Sequence, residues 1–154
     1  MEISLLADKP EASGVIAQWY YDEWLTNVSD ITVEAVRDQV SKTANRGKVP
    51  LTIIAHKNNE FIGTIQLKLY ENKNHPEYEH WLGGMYVKSS HRGQGVSTVL
   101  IEQAIKHALQ ANVLCLYLQC ENHNIELYKK HGFTFLHEGK HRIPVSIMML
   151  ELNT

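Results

Sequence analysis

Hydrophobic and polar positions along the chain change period several times, and each change marks an element. Residues 3–6 are apolar and give way to Asp8, Lys9 and Pro10, which predicts a short strand followed by a helix opening on the proline. Val15, Ile16, Trp19, Tyr20 and Trp24 then recur at helical spacing, and a second helix is predicted over 32–43, where Val33, Val36 and Val40 share one face. Asn45, Arg46 and Gly47 stop it. Beyond this point the pattern turns to strands. Residues 51–55 and 61–69 are rich in β-formers, and Lys57, Asn58, Asn59 and Glu60 between them form a hairpin turn that pairs the two antiparallel. The polar stretch 71–79 reads as the mobile loop of the chain, and residues 81–87 as the next strand.

Val96, Val99, Leu100, Ala104, Ile105, Ala108 and Leu109 form an apolar stripe with a period of about 3.6, a third helix with one face on the core. Residues 113–118 read as a buried strand, 125–131 as a short helix stopped by Gly132, and 133–136 with 143–152 as a closing hairpin. The predicted order is β-α-α-β-β-β-α-β-α-β-β. It contains no repeat and no linker, so residues 1–154 are expected to form a single α/β domain.

Composition narrows the function more than the fold. With 154 residues, 44% of them apolar and 21% charged, the chain is large enough to bury a core without metals or disulfides and is not compositionally disordered. Its 15 basic and 17 acidic residues leave a net charge of −2, which offers no global field to a polyanion and argues against nucleic acid as a partner. Lys88, Arg92, Lys129 and Lys130 remain as local cations, either around a phosphate site or on a solvated face. Glu2, Asp8, Lys9 and Glu11 interrupt any signal-peptide core, and the longest apolar run, 113–118, is too short to span a bilayer. No membrane partner and a cytoplasmic location are expected. Cys115 and Cys120 are too few for a disulfide framework and read as reduced, with Cys115 facing the core. Their spacing to His123 invites a metal site, but no close cysteine pair accompanies it and the other histidines scatter, so no metal is expected.

The densest chemistry lies in residues 85–98, where an apolar strand ends and a helix opens on two glycines. Gly93 and Gly95 remove the Cβ atoms that would keep a phosphate from the backbone, and the first amides of the helix lack intrahelical acceptors at the positive end of its dipole. Two such glycines also occur at helix starts for conformational reasons alone. A further segment, 124–133, contains Leu127, Tyr128, Lys129, Lys130, Gly132 and Phe133.

Together the two segments resemble the GNAT superfamily of acyl-CoA-dependent N-acyltransferases. Its first pattern is Arg or Gln, two residues, Gly, one residue, then Gly or Ala, and here Arg92, Gly93, Gln94, Gly95 and Val96 lead to Ser97 in the last place. The asparagine usual seven residues before the tyrosine is replaced by Glu121, with Asn122 and Asn124 nearby. The resemblance covers nearly the whole chain. It implies a three-layer fold with a mixed sheet of about seven strands, helices on both faces, and strands four and five splayed to admit acyl-CoA.

Carried onto this sequence, the resemblance implies that Met85, Tyr86 and Val87 pair with the pantetheine arm, and that an amide there polarises the thioester carbonyl. Arg92, Gly93, Gln94, Gly95, Val96, Ser97 and Thr98 would cradle the pyrophosphate, with Asn124 as a further cofactor contact. Tyr128 would protonate the departing coenzyme A sulfur, a role suited to a phenol whose proton is held at neutral pH; the alternative is a ring packed on a helix face. The base is not settled by the resemblance. Glu79, His80 and Glu23 are candidates by position, and Glu79 is taken as the catalytic one. Tyr20 and Trp24, in a run that includes Trp19, Tyr21, Asp22 and Glu23, and Trp81 are candidate acceptor contacts by cation-π and charge, unless they are simply core. The expected activity is acetyl transfer from acetyl-CoA to a primary amine. The rival expectation is a GNAT-like module that binds acyl-CoA without turnover, and dimerisation through the final hairpin is compatible with either.

Overall fold

The computed structural model describes residues 1–141 and 143–152. The strands are β1 (Glu2–Leu5), β2 (Leu51–Lys57), β3 (Glu60–Leu69), β4 (His80–Val87), β5 (Cys115–Cys120), β6 (Thr134–His141) and β7 (Ile143–Glu151). The helices are α1 (Ser13–Tyr20), α2 (Val33–Ser41), α3 (Val96–Gln110) and α4 (Ile125–Lys129). This is the predicted order, with short 3-10 turns added between elements and a widened π turn, Tyr21–Leu25, continuing α1. No helix among the described residues is long and apolar enough to cross a membrane.

The seven strands form one sheet in the order β1-β2-β3-β4-β5-β7-β6. The β2–β3 hairpin forms as expected, because Asn58 and Asn59 adopt the left-handed conformations, φ 51° and 65°, that a tight hairpin turn requires. Every neighbouring pair is antiparallel except β4 and β5, which are parallel because α3 carries the chain back across the sheet. One residue pair, Trp81 with Tyr117, bridges them among the described residues. From there the two strands diverge, and the splay expected between strands four and five is present.

Each face of the sheet has its own core. α3 places Val96, Leu100, Ile101, Ala104 and Ala108 against Leu51, Ile53, Ile65, Leu67, Leu82, Leu116, Leu118 and Met148. On the other face α1 and α2 bring Ile16, Ala17, Tyr20, Val36 and Val40 onto Leu6 and Ile54. At about 1.5–3 kcal/mol per buried aliphatic side chain, these two layers fix where the ends of α1 and α3 sit relative to β4.

Three expectations change. Strand five starts at Cys115 rather than 113, because the amide of Val113 closes the end of α3 on the Ala108 carbonyl (3.0 Å) and its side chain enters the core from that turn. Cys115 does not face the core. Leu116, Leu118 and Cys120 do, and Cys115 lies on the opposite face near Tyr117. The stretch 71–79 is pinned rather than loose. Asn72 donates to Gln119 Oε1 (2.9 Å) and to the Lys140 carbonyl (3.2 Å), and the Tyr78 ring stacks on Tyr117 with centroids 4.1 Å apart. His137 donates from Nδ1 to the Glu138 carbonyl, which leaves Nε2 to accept from the Tyr78 hydroxyl at 2.7 Å.

Candidate functional site

The end of β4 opens directly into the glycine turn. Gly93 and Gly95 have φ of 76° and 82°, left-handed conformations that cost glycine nothing, and a Cβ at either would meet no protein atom within 4 Å. Gly95 is the residue that caps α3, and it does so without a side-chain hydrogen bond, so the first amides of the helix face the space in front of them. That space is an open cleft of about 460 Å³ lined by Val87, His91, Arg92, Gly93, Gly95, Val96, Ser97 and Thr98. Unpaired helix amides, two open glycines and the hydroxyls of Ser97 and Thr98 make a donor-rich concavity suited to a diphosphate.

The charged residues around it are arranged differently from what their positions in sequence suggest. Arg92 donates from Nε to the Val87 carbonyl (2.9 Å) and lies over the Tyr86 ring, 5.7 Å from its centroid. It therefore ties the turn to β4 while its exposed guanidinium still borders the cleft. Lys88 pairs with Glu60, whose carboxylate is held below its ordinary range first by that hydrogen bond. Gln94 turns its side chain toward the Ser90 carbonyl (3.5 Å) and is not among the lining residues. Lys129 and Lys130 are exposed, and Lys129 stands 3.6 Å from Glu126.

Farther back along β4 the ladder slips. Thr64 pairs with Tyr86 and Gln66 with Gly83, so Gly84 and Met85 together oppose the single residue Ile65. This is a β-bulge, and Gly84 takes it with a φ of 60°. Lys88 donates its amide to the Ile62 carbonyl (2.8 Å) on β3, and strand alternation then turns the backbone groups of Met85 and Val87 toward the gap beside β5. With Trp81 and Tyr117 the one bridging pair between β4 and β5 among the described residues, the Met85 groups have no ladder partner and form one wall of the splay, while the Val87 carbonyl is taken by Arg92 Nε.

Tyr128 lies on α4, which follows β5. Its ring lies edge-on to Phe133, centroids 6.1 Å apart, and packs against the α3-side core with Leu127. Burial, and then the nearby Cys120 thiol, push its hydroxyl up to about 12. The phenol thus stays protonated through the neutral and mildly alkaline range. Cys120 is itself pushed up to about 11 by burial, with Glu121 adding to it, so it is a neutral thiol there. Asn124 precedes α4 without a side-chain capping bond and is not among the cleft residues. Asn122 instead accepts from the buried Ser146 hydroxyl (3.1 Å), which turns it toward β7.

Over the bulge, on the α1 side, the acceptor candidates separate. Tyr20 is buried, and its hydroxyl donates to the Gly84 carbonyl at 2.7 Å. Burial pushes that hydroxyl strongly up; contact with Thr64 opposes this and the Glu71 charge adds to it. Trp81 has no exposed surface and donates from Nε1 to the Tyr78 carbonyl (2.7 Å), so it is a core residue and does not reach an acceptor. Trp19 stacks on Tyr86, centroids 5.0 Å apart. Trp24, on the π turn, is 48% exposed and tilts against Tyr20, centroids 5.3 Å apart. Glu23 is exposed on the same turn. Glu79 is exposed just before β4, 4.0 Å from His80 Nε2, and five residues of strand, roughly 16 Å, separate it from the bulge.

A carboxylate that sequence reading missed is closer. Glu71 Oε1 lies 3.8 Å from where a Cβ on Gly83 would sit and pairs with Lys68 Nζ at 3.0 Å. The adjacent glycines Gly83 and Gly84 inside an apolar strand were the available signal, since paired glycines there mark a bulge or a close approach. Among the described residues no three His, Cys, Asp or Glu side chains gather as a metal site would need.

A family model described as the acetyltransferase (GNAT) family matches residues 15–133. No curated protein sequence matches the chain. Solved structures share its fold over nearly their whole length. An aminoglycoside 6'-N-acetyltransferase complexed with coenzyme A is 16% identical with a TM-score of 0.77, covering 100% of this chain and 98% of its own. YncA of Salmonella typhimurium, solved with acetyl-CoA as its cofactor, is 19% identical with a TM-score of 0.77, covering 100% and 95%. A ribosomal-protein-alanine N-acetyltransferase of Brucella melitensis is 18% identical with a TM-score of 0.74, covering 99% and 100%. At such identities the likeness is one of fold.

Proposed function

This chain belongs to the GNAT acetyltransferase family, and we propose that it transfers an acetyl group from acetyl-CoA to a primary amine by direct attack. The observation that carries this reading is the alignment of two features on one strand: the donor-rich cleft at Val87 to Thr98 and the unpaired wall of β4 leading away from it into the splay. A diphosphate in the cleft, bound by the α3 amides, Ser97, Thr98 and Arg92, directs a pantetheine arm along Met85, Tyr86 and Val87. Coenzyme A complexes of proteins that share this fold support the fit.

The roles follow from chemistry. The Met85 amide polarises the thioester carbonyl, and its hydrogen bond strengthens as negative charge develops on that oxygen. Tyr128 shares its proton with the departing sulfur. Glu71, beside the bulge, draws in the acceptor ammonium in exchange with Lys68, while Trp24 supplies an aromatic face for its carbon chain. Glu79, just before β4, takes the ammonium proton through a chain of waters, so that the amine attacks the thioester in its neutral form.

Thermal unfolding with and without acetyl-CoA tests the cofactor, with NAD and ATP as controls. Ligand at a hundredfold above its Kd stabilises by about 2.7 kcal/mol, a shift of roughly 5 °C. An amine panel then tests transfer. Tyr128→Phe is expected to lower kcat by about a hundredfold and to leave acetyl-CoA affinity intact. A shift with acetyl-CoA but no transfer to any amine would favour the rival, a binding module without turnover.

A further inference from the structure

The pairing of Tyr20 with the β4 bulge is tighter than packing requires. A Cβ at Gly84 would lie 2.5 Å from the Tyr20 hydroxyl and 2.8 Å from Gln66 Oε1, so the bulge and these two polar groups fit only with glycine between them. Gln66 is itself held, donating to the Thr52 hydroxyl at 3.0 Å, and Thr52 meets the Thr43 hydroxyl at 2.6 Å. Gly84, Gln66, Thr52 and Tyr20 are thus joined in a polar layer inside the α1-side core, where groups of this kind are retained only with partners.

The Gly84 carbonyl and the Met85 N–H belong to one planar peptide unit and point in opposite directions. The Tyr20 hydroxyl grips that unit at its oxygen, from the α1 side. The N–H at the other end is thereby held pointing away from α1. A donor on the carbonyl also polarises the unit and makes its N–H a stronger donor in turn.

We propose that Tyr20 is a positioning residue for acyl transfer, acting through the Gly84–Met85 peptide to fix and strengthen the amide that receives the thioester carbonyl. It is not an acceptor contact. This inference rests on the acetyl-transfer reading given above and adds to it the last residue of α1, far in sequence from the cofactor motifs.

The test uses the full chain and acetyl-CoA labelled with ¹³C at the thioester carbonyl. In the native protein the bound carbonyl resonance should move downfield of its free position. Tyr20→Phe should move it back upfield and lower kcat by about tenfold, with acetyl-CoA Kd and the KM for the amine changed by less than about twofold. An unchanged carbonyl resonance in Tyr20→Phe overturns the proposal, even where stability or affinity falls, because a merely structural role moves those alone. Should Tyr20→Phe not fold, 3-fluorotyrosine at position 20 strengthens the donor without changing its shape. It should move the resonance farther downfield, and no movement is again decisive against the proposal. Absence of acetyl-CoA binding by the native chain overturns the acetyl-transfer reading and this inference together. Binding without turnover leaves the carbonyl resonance to decide the inference by itself.

Discussion

The glycine turn before α3 and the bulge in β4 lie close together in sequence, yet they are built from different materials. The turn is made of backbone: two left-handed glycines and the free amides of one helix, supplied by contiguous residues. The bulge face is made of side chains, with Tyr20 from α1, Trp24 from the π turn, Gln66 and Lys68 from β3 and Glu71 from the segment beyond it. The contrast matches what each would recognise. A diphosphate needs only N–H donors and positive potential, which any sequence with the right dihedrals supplies. An amine is distinguished from other amines by shape and charge, which only particular side chains supply. Under the proposed function one region would set the cofactor class and the other the acceptor, so each should be breakable without the other.

The largest effect is expected at the turn. Gly95→Val forces a β-branched residue into a φ of 82° at the cap of α3, at a cost of about 1–3 kcal/mol in stability, and puts two methyl groups into the space a phosphate would occupy. Loss of two charge-assisted amide contacts corresponds to about a hundredfold in acetyl-CoA affinity. Calorimetric titration reads the affinity and thermal unfolding the strain. Preference among amines should stay as it was in whatever activity remains, and a change in that preference would dissolve the distinction between the two regions.

A smaller and opposite pattern is expected at the bulge face. Glu71→Gln removes the carboxylate that pairs with Lys68 at 3.0 Å, an ion pair only partly shielded from solvent, so stability should change by less than about 1 kcal/mol. The KM for a cationic amine should rise by about tenfold, since one charge-assisted contact is lost, with acetyl-CoA affinity unchanged. Steady-state kinetics with each substrate varied in turn separates the two constants. A matching loss of acetyl-CoA affinity would show that Glu71 supports the fold of β4 rather than the acceptor.

The same contrast explains what the sequence made legible. Element order was readable because each helix and strand carries its own period, and the turn was readable because all of it is contiguous and glycine has few other uses there. The run 113–118 was misread at its edges for a physical reason. A continuous apolar run has no alternation of its own, so neither its start nor its buried face follows from it; only Tyr117 and Gln119, alternating with Leu118 and Cys120, show which side is which. Trp81 and Tyr20 looked like pocket aromatics because burial is not written in a residue's type, and the stretch 71–79 looked loose because Asn72 and Tyr78 find their partners 47 and 59 residues away. The paired glycines Gly83 and Gly84 signal a close approach, but that Glu71 is the group beside Gly83 follows only from the folded register.

The smallest effect separates the turn from the far end of its own helix. His107 lies in the last turn of α3, where the helix dipole favours a charged imidazole. Burial works against this and is the larger influence, with Lys106 adding to it, so the His107 pKa is lowered in the folded chain. A folded value below the unfolded one means that the unfolded chain binds more protons in this range, and stability therefore rises with pH. The native state should hold its full stability above the ordinary histidine pKa of about 6.5 and lose a little as pH falls through that value toward the lowered one, on the order of 1 °C in Tm because the side chain is only partly buried. His107→Gln should flatten that part of the Tm-against-pH curve. Acetyl-CoA affinity at a fixed pH should not change with it, because the amides at the N-terminus of α3 owe nothing to the charge at its other end beyond the range over which a dipole acts.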